Sequence, residues 1–285
     1  MESFWKKATR PDGRLFSQTR RTVVQRQVLT QHAAGSALVK LGDSQVIVGV
    51  SYAVGQPVGG VNQGDVLVTV QDSRSNSSNN MNSSLQLYLN RLLEETLDLE
   101  QLSIVPGTAA FRLLLTVQIL NQDGNIRDAC LLACVAALAD TKLPTNTILQ
   151  DGKVWLRDGE GGEADADADK EDAKRSDDKE DDSGSELSSM RQLQIPVVPV
   201  PLTMGVWLDQ ETGQTHLIVD PSAEEDTILQ SRMTVVVNAM DPAQIVLLDV
   251  TGRHAVSKTE LALATRMAAG RAEELRDVLI FTSSD

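Results

Sequence analysis

Alternating and continuous apolar runs predict a series of β-strands along the first half of the chain. Residues 35–50 hold two apolar, β-branched runs separated by Leu41-Gly42-Asp43-Ser44, a pattern typical of a β-hairpin. Residues 66–70 predict a further strand, and residues 111–120 predict a strand with nearly continuous apolar side chains. Asp123-Gly124 follows this strand and favours a tight turn with positive φ.

Three longer segments have helical periodicity. Residues 85–102 space leucines on one side, and residues 126–140 are apolar nearly all round, which predicts a helix buried between layers. Residues 258–281 place Leu261, Thr265, Ala268, Ala272, Leu275 and Leu279 on one stripe. Further strands are predicted within residues 194–208, 216–219, 233–238 and 245–250. Strands interspersed with buried helices indicate an α+β or α/β sandwich in one compact domain.

Composition supports a globular, intracellular protein without a membrane segment. An apolar content of 41% is enough for a core, although aromatic residues make up only 3% of the chain. The longest apolar run, residues 129–139, is 11 residues long and too short to cross a bilayer. No apolar segment follows the first basic residues, so the N-terminus does not resemble a secretory signal.

The negative charge is concentrated in one polar insertion. Residues 158–186 hold 14 acidic and 4 basic residues, whereas the whole chain has a net charge of −14. This segment lacks apolar residues that could anchor it, so we expect it to be disordered. An interaction tail or a mimic of nucleic acid is one interpretation; a solvated insertion between two strands is favoured. Residues 72–84, rich in Ser and Asn, are predicted to form a flexible loop.

Candidate metal ligands are few and scattered. Cys130 and Cys134 lie on the alanine-rich helix predicted at residues 126–140, far in sequence from His32, His216 and His254. A structural zinc site needs four closely spaced ligands. We therefore interpret both cysteines as small core residues in a reducing compartment, and expect neither a metal site nor a cofactor.

Five blocks in fixed order resemble the RNase-PH-like proteins, and in particular the ring subunits of the RNA exosome. They are RPDGR at 10–14, GSALVKLGDSQVIVGV at 35–50, the strand, DGN turn and helix at 106–138, VPVPLTMGVW at 198–207 and LIVDPSAEED at 217–226. The resemblance implies an α+β, RNase PH-like fold of mixed sheets packed on helices, also described as ribosomal protein S5 domain 2-like. It implies one such domain over residues 1–157 and 187–285, interrupted by the acidic insertion.

Two departures from the active members of this family indicate a subunit that is not an enzyme. Active members have an arginine-rich segment before the first long helix, but residues 72–96 contain only Arg74 and Arg91. Active members also have an Asp-x-Asp turn followed by Glu-Asp; here the turn is DPSAEED at 220–226, and Ser222 replaces the middle carboxylate. The favoured interpretation of this turn is a helix-capping cluster, so no catalytic, cofactor or metal residue is assigned.

The resemblance implies a non-catalytic structural subunit of the exosome core ring, supporting 3′-to-5′ RNA processing, including rRNA processing, and RNA degradation. Expected partners are other RNase-PH-like ring subunits, one of the catalytic lineage as direct dimer partner, S1/KH cap subunits, RNA in the central pore and a hydrolytic nuclease. Expected locations are the nucleus, the nucleolus and the cytoplasm. The alternative is an active phosphorolytic 3′-to-5′ exoribonuclease. A phosphotransferase is disfavoured because neither GxxxxGK[ST] nor GxGxxG occurs.

Overall fold

A computed structural model describes residues 5, 9–31, 33–57, 62–73, 79–145, 147–150, 153–156 and 190–280. The elements up to residue 140 are β1 (Thr22–Arg26), β2 (Gly35–Leu41), β3 (Ser44–Gly55), β4 (Asp65–Asp72), α1 (Asn79–Thr96), a 3-10 helix (Leu99–Leu102), β5 (Ser103–Val105), β6 (Ala109–Asn121) and α2 (Ile126–Asp140). The later elements are β7 (Lys142–Pro144), β8 (Thr147–Gln150), β9 (Lys153–Leu156), β10 (Met190–Gln192), β11 (Pro199–Leu208), β12 (Thr215–Val219), α3 (Ala223–Asp226), β13 (Ser231–Asn238), β14 (Ile245–Gly252) and α4 (Lys258–Ile280).

The chain divides into two compact units. The larger unit comprises residues 1–141 and 192–285, and the smaller one residues 142–191. In the smaller unit β7 pairs with β10 and β8 pairs with β9. The sequence placed the main domain at 1–157 and 187–285, whereas the compact unit ends at residue 141 and resumes at 192. The acidic insertion at 158–186 lies outside the described residues.

A six-stranded mixed sheet forms the first layer of the larger unit. Its order is β1-β2-β3-β6-β4, with β5 on the end of β6, and only the β4–β6 pair is parallel. The predicted hairpin is confirmed, since β2 and β3 pair in register up to Leu41 and Ser44. Alternate side chains of β6, from Leu113 to Ile119, are buried, as expected for a sheet with one covered face.

Helix α2 lies between this sheet and a second one, as its all-round apolar pattern predicted. Every residue of α2 except Arg127 is buried. The helix contacts β2 and β3 of the first sheet and β11 of the second. Cys130 and Cys134 are both fully buried free thiols, which confirms that they are core residues.

The second sheet has four antiparallel strands in the order β12-β11-β13-β14. All the predicted strands of the second half are present within one or a few residues of their expected bounds. Helix α4 covers β11 and β13 and buries Ala268, Ala272, Leu275 and Leu279 of the predicted stripe, together with Ala264. None of the described helices has both the length and the apolar character required to span a bilayer.

The helix predicted at residues 85–102 is shifted in the structure. Helix α1 begins at Asn79 and ends at Thr96, and a separate 3-10 helix follows, with the Asp98 carboxylate capping it at the Glu100 N–H. The predicted loop at 72–84 is correspondingly shorter, because Asp72 belongs to β4 and residues 79–84 are helical. Ser and Asn have weak helix propensity, but packing of the leucine face of α1 on β4 outweighs it.

Candidate functional site

The DPSAEED turn folds as a helix cap, as its favoured interpretation predicted. The Ser222 hydroxyl accepts from the Glu225 N–H at 3.4 Å, and the Glu225 carboxylate accepts from the Ser222 N–H at 2.9 Å. This reciprocal capping box starts the short helix α3. The residue that replaces the family's middle carboxylate therefore has a structural partner, and its hydroxyl holds the turn closed.

Asp220, the first carboxylate of the turn, is only 1% exposed and is neutralised by Arg20. The Arg20 guanidinium donates from Nε and Nη2 to the two Asp220 oxygens at 2.9 and 2.8 Å, and the Arg20 backbone N–H adds a 2.8 Å bond. Burial raises the pKa of Asp220, but the hydrogen bonds and positive charge of Arg20 outweigh burial and hold the pKa below its usual value. Asp220 is thus a buried anion with a fixed bidentate counterion.

Arg10, the first residue of the RPDGR motif, neutralises the second buried carboxylate. Its Nε donates to Glu225 Oε1 at 2.8 Å, and its Nη2 forms an ion pair with Glu225 Oε2. The same guanidinium donates to the backbone carbonyls of Val219 at 2.6 Å and Asp220 at 3.0 Å. Arg14 adds a 3.5 Å ion pair to Asp220. The motif therefore holds the acidic turn in place.

The DGN turn packs directly against the same acidic turn. Gly124 has a φ of +73°, and a Cβ at this position would lie 2.4 Å from the Ser222 carbonyl carbon. Ser44, from the first hairpin, accepts from the Asp123 N–H and donates to the Gly124 carbonyl, both at 2.9 Å. Glycine is required at 124 by the backbone conformation and by the close approach of Ser222.

Asn125 links two buried carboxylates on different elements. Its side-chain amide donates to Asp220 at 2.8 Å and to Asp128 at 2.9 Å. Asp128 also accepts from the Thr203 N–H at 2.8 Å and from the Thr203 hydroxyl at 2.7 Å. A continuous hydrogen-bonded network therefore joins the N-terminal motif, the DGN turn, helix α2 and strand β11.

A cavity of about 350 Å³ opens beside this network, and Asn125 and Thr203 contribute to its lining. Its two arginines already have partners. Arg127 pairs with Asp249 at 3.1 Å and lies over the Tyr88 ring, 4.2 Å from the centroid, and Arg232 pairs with Asp226. The described lining therefore offers no arginine without a carboxylate partner for an inorganic phosphate.

Of the two arginines singled out in the sequence, only Arg91 is among the described residues, and it pairs outside this site. Arg91 is exposed on α1 and pairs with Glu95 at 3.1 Å. Arg74 lies outside the described residues. Sequence reasoning missed the partners Arg20, Asn125 and Asp128; the one available signal was a carboxylate at position 128 in an otherwise apolar helix.

The described residues contain no group of three or more His, Cys, Asp or Glu side chains placed to hold a metal ion. Burial raises the pKa of the Cys134 thiol to about 12 and raises that of Cys130 as well. Both thiols are therefore protonated and unreactive at neutral pH. The arrangement is suited to holding turns together and presents no open pair of carboxylates.

Comparison with known proteins places these features in one family. The model for domain 1 of the 3′ exoribonuclease family matches residues 18–144, and the model for domain 2 matches residues 198–270. Together the two models cover more than two thirds of the chain. The family counts two domains, and here both matches lie almost entirely in the larger compact unit.

Archaeal proteins are similar over most of the chain. Exosome complex component Rrp42 of Thermococcus gammatolerans is 28% identical, with 96% of this chain and 90% of that protein covered. Its counterpart in Methanothermobacter thermautotrophicus is 33% identical over 52% of this chain and 57% of that protein.

Solved structures show the same fold. A chain of the Archaeoglobus fulgidus exosome with RNA bound to the active site superposes with a TM-score of 0.72 at 23% identity, covering 97% of this chain and 95% of that one. Rice Rrp46 superposes with a TM-score of 0.66 at 16% identity, covering 95% and 98%. By its sequence matches and its fold, the chain belongs to the RNase PH-like 3′ exoribonuclease family.

Proposed function

We propose that this chain is a non-catalytic structural subunit of the RNA exosome core ring, supporting 3′-to-5′ RNA processing and decay by threading RNA towards an associated nuclease. The observation that carries the proposal is the state of the acidic turn. Asp220 and Glu225 are buried and paired with Arg20 and Arg10, and Ser222 caps a helix. Phosphorolysis needs acidic groups that are free to place a divalent ion or handle protons. Here the carboxylates of this turn are used to stabilise the fold.

The alternative, an active phosphorolytic 3′-to-5′ exoribonuclease, needs an inorganic phosphate held against the terminal phosphodiester. Such a site needs several oriented cations that are free to contact the phosphate. In the described part of the cavity both arginines are paired with carboxylates. This arrangement favours the structural role.

The archaeal relatives carry the name of exosome complex components, which supports ring partners for this chain. We propose RNase-PH-like subunits as neighbours, one of the catalytic lineage as dimer partner, together with S1/KH cap subunits, RNA in the pore and a hydrolytic nuclease. The acidic insertion at 158–186 further favours the subunit called ribosomal RNA-processing protein 43. Such a subunit would be located in the nucleus, the nucleolus and the cytoplasm. Co-purification of the tagged chain, with identification of its partners by mass spectrometry, tests this assignment.

Ser222→Asp is expected to create no phosphorolytic activity. Aspartate is as good an N-cap as serine, so the turn should stay folded and the variant should assemble normally. The carboxylate introduced at position 222 does not create a binding site for the attacking phosphate. Each missing cationic contact to that phosphate costs on the order of 10²-fold in rate. The measurement is shortening of 5′-labelled RNA with and without inorganic phosphate.

The assay should use the chain alone and a reconstituted ring whose hydrolytic nuclease has been inactivated. An active phosphorolytic relative serves as the positive control for RNA and phosphate. Release of nucleoside diphosphates that depends on phosphate, from the wild-type chain or the variant, would contradict the structural role.

One edge of the second sheet is open for a partner. Two other sheet edges have backbone groups bonded to neighbouring segments. At the β4 edge of the first sheet, the Val68 N–H donates to the Asn90 side chain at 2.7 Å; at the β12 edge of the second sheet, the Val219 N–H donates to the Phe16 carbonyl at 2.8 Å. Beyond β14 no other strand of the described chain pairs, and Leu248 and Val250 are 42% and 45% exposed on it. Open apolar edges are usually covered by pairing in an assembly.

The isolated chain is therefore expected to self-associate, and Leu248→Lys is expected to shift it towards monomer. A charge on an edge strand opposes edge-to-edge pairing. Sedimentation velocity over a concentration series measures the effect. Leu87→Lys is the matched control, because Leu87 is 70% exposed and lies on helix α1 rather than on a strand. Equal self-association of wild type and Leu248→Lys would show that this edge is not the contact.

A further inference from the structure

Asp128 is a buried carboxylate on helix α2, and its hydrogen bonds come only from neutral donors. Its two oxygens accept from the Thr203 N–H, the Thr203 hydroxyl and the Asn125 amide at 2.7–2.9 Å. The nearby cations are used elsewhere: Arg20 pairs with Asp220, and Arg127 pairs with Asp249. A buried anion without a counterion is costly, so protonation is the alternative way to stabilise it.

The groups around Asp128 also favour the protonated form of its carboxyl. Burial raises the pKa of Asp128 to about 6, although the hydrogen bonds from Thr203 and Asn125 oppose the shift. The titratable groups that face it are the Asp220 carboxylate, whose charge raises this pKa further, and the Tyr88 phenol. Burial raises the pKa of Tyr88, so the phenol stays neutral through the neutral range.

Beyond Asp128, two hydroxyl groups extend the hydrogen bonding into the second sheet. Thr203 on β11 lies opposite Thr234 on β13, with their hydroxyl oxygens 2.8 Å apart, and either can be the donor. When Asp128 is ionised, Thr203 donates to it and accepts from Thr234. When Asp128 carries a proton on Oδ1, the carboxyl donates to Thr203, and Thr203 donates to Thr234.

We propose that Asp128, Thr203 and Thr234 form a proton-linked hydrogen-bond chain between helix α2 and the second sheet. Its direction reverses when Asp128 takes up a proton, and proton uptake by the folded chain stabilises the junction between the two layers. Because Asn125 also bonds Asp220, the same event is linked to the network that holds the acidic turn. This device is independent of the proposed ring function.

The direction of the pH effect follows from the two states of Asp128. Its contribution to stability is fully present below the unfolded value of 3.8 and is lost as pH rises through the folded value of about 6. A difference of about two units between the folded and unfolded pKa values corresponds to roughly 100-fold in the folding equilibrium constant. Asp220, whose pKa is lowered, has the opposite dependence, so a wild-type curve alone would not separate them.

Asp128→Asn removes the titration and keeps the hydrogen bonds. The amide oxygen can accept from the Thr203 N–H and from Asn125, and the amide nitrogen can donate to the Thr203 hydroxyl, which then donates to Thr234. Between pH 4 and pH 7.5 the folding equilibrium constant of the variant, relative to wild type, is expected to rise by roughly 100-fold. Urea unfolding of the full chain across this range gives the ratio, and the contributions of carboxylates that do not interact with Asp128 cancel in it. A constant ratio would overturn the proposal.

Thr234→Val separates the hydroxyl chain from a general effect of burial. It removes the Thr203 partner in both states: the ionised state loses a donor to Thr203, whereas the protonated state leaves the buried Thr203 O–H without an acceptor, which is the larger cost. The titration of Asp128, followed by carboxyl ¹³C NMR, is therefore expected to move to lower pH. Thr96→Val is the matched control, because the buried Thr96 hydroxyl bonds only its own helix, at Leu92 and Leu93. An unchanged midpoint in Thr234→Val would show that the second hydroxyl has no part in the device.

Discussion

Asp220→Asn is expected to lower the free energy of unfolding by about 3 kcal/mol at neutral pH, because it removes the buried bidentate carboxylate partner of Arg20 and leaves only the partly exposed Asp123 carboxylate paired with it, at 3.3 Å. The new amide group would also place donors against the Arg20 donors. Since the pKa of Asp220 is lowered in the folded chain, its contribution is present above about pH 4 and is lost as pH falls. The difference between variant and wild type should therefore shrink in acid.

Glu224→Gln is the control within the same turn. Glu224 has the same charge but is exposed, so its neutralisation should change stability by about 0.5 kcal/mol or less. Urea unfolding at pH 7 measures both variants. If Asp220→Asn were as mild as Glu224→Gln, the Arg20 pair would not be an important part of the fold.

Gly124→Ala is expected to lower the free energy of unfolding by about 3 kcal/mol or more. Alanine with positive φ costs about 1–2 kcal/mol, and forcing a methyl group into a filled site adds about 1–3 kcal/mol. The added Cβ would lie 2.4 Å from the Ser222 carbonyl carbon and 2.5 Å from the Ala223 nitrogen. The DGN turn and the acidic turn would have to separate.

Gly13→Ala isolates the backbone part of this effect. Gly13 has a φ of +83°, but nothing lies within 4 Å of an added Cβ. Its substitution should therefore cost only the conformational part, about 1–2 kcal/mol. Equal losses in the two variants would show that the close contact at Gly124 relaxes without cost.

Periodicity predicted most of the fold correctly because burial in this chain follows regular patterns. Helix α2 was predicted with its observed bounds, because an apolar run of 15 residues that follows the DGN turn is too long for a typical strand and fits a buried helix. The hairpin turn at Gly42 was equally clear. Helix α1 was displaced because Ser and Asn at its start favour loops locally, and only its packing on β4 decides otherwise.

The site was only partly predictable, because its interactions join distant segments. The capping role of Ser222 could be inferred from local spacing alone, since the partner Glu225 is three residues away. The pairing of Asp220 with Arg20 gives no local signal, because any of several arginines could have served. Asp128 was visible as a polar residue in an apolar helix, but its partners Thr203 and Asn125 were not.

The long span of the arginine contacts has a consequence for the order of folding. Arg10 reaches Glu225 across 215 positions of sequence, and Arg20 reaches Asp220 across 200. During synthesis both arginines leave the ribosome long before Asp220 and Glu225 have been synthesised. These ion pairs can therefore form only after residue 225 has emerged. Contacts of such sequence separation carry a large loop-closure cost and form slowly. We therefore expect the RPDGR motif to dock on the acidic turn only after residue 225 has emerged.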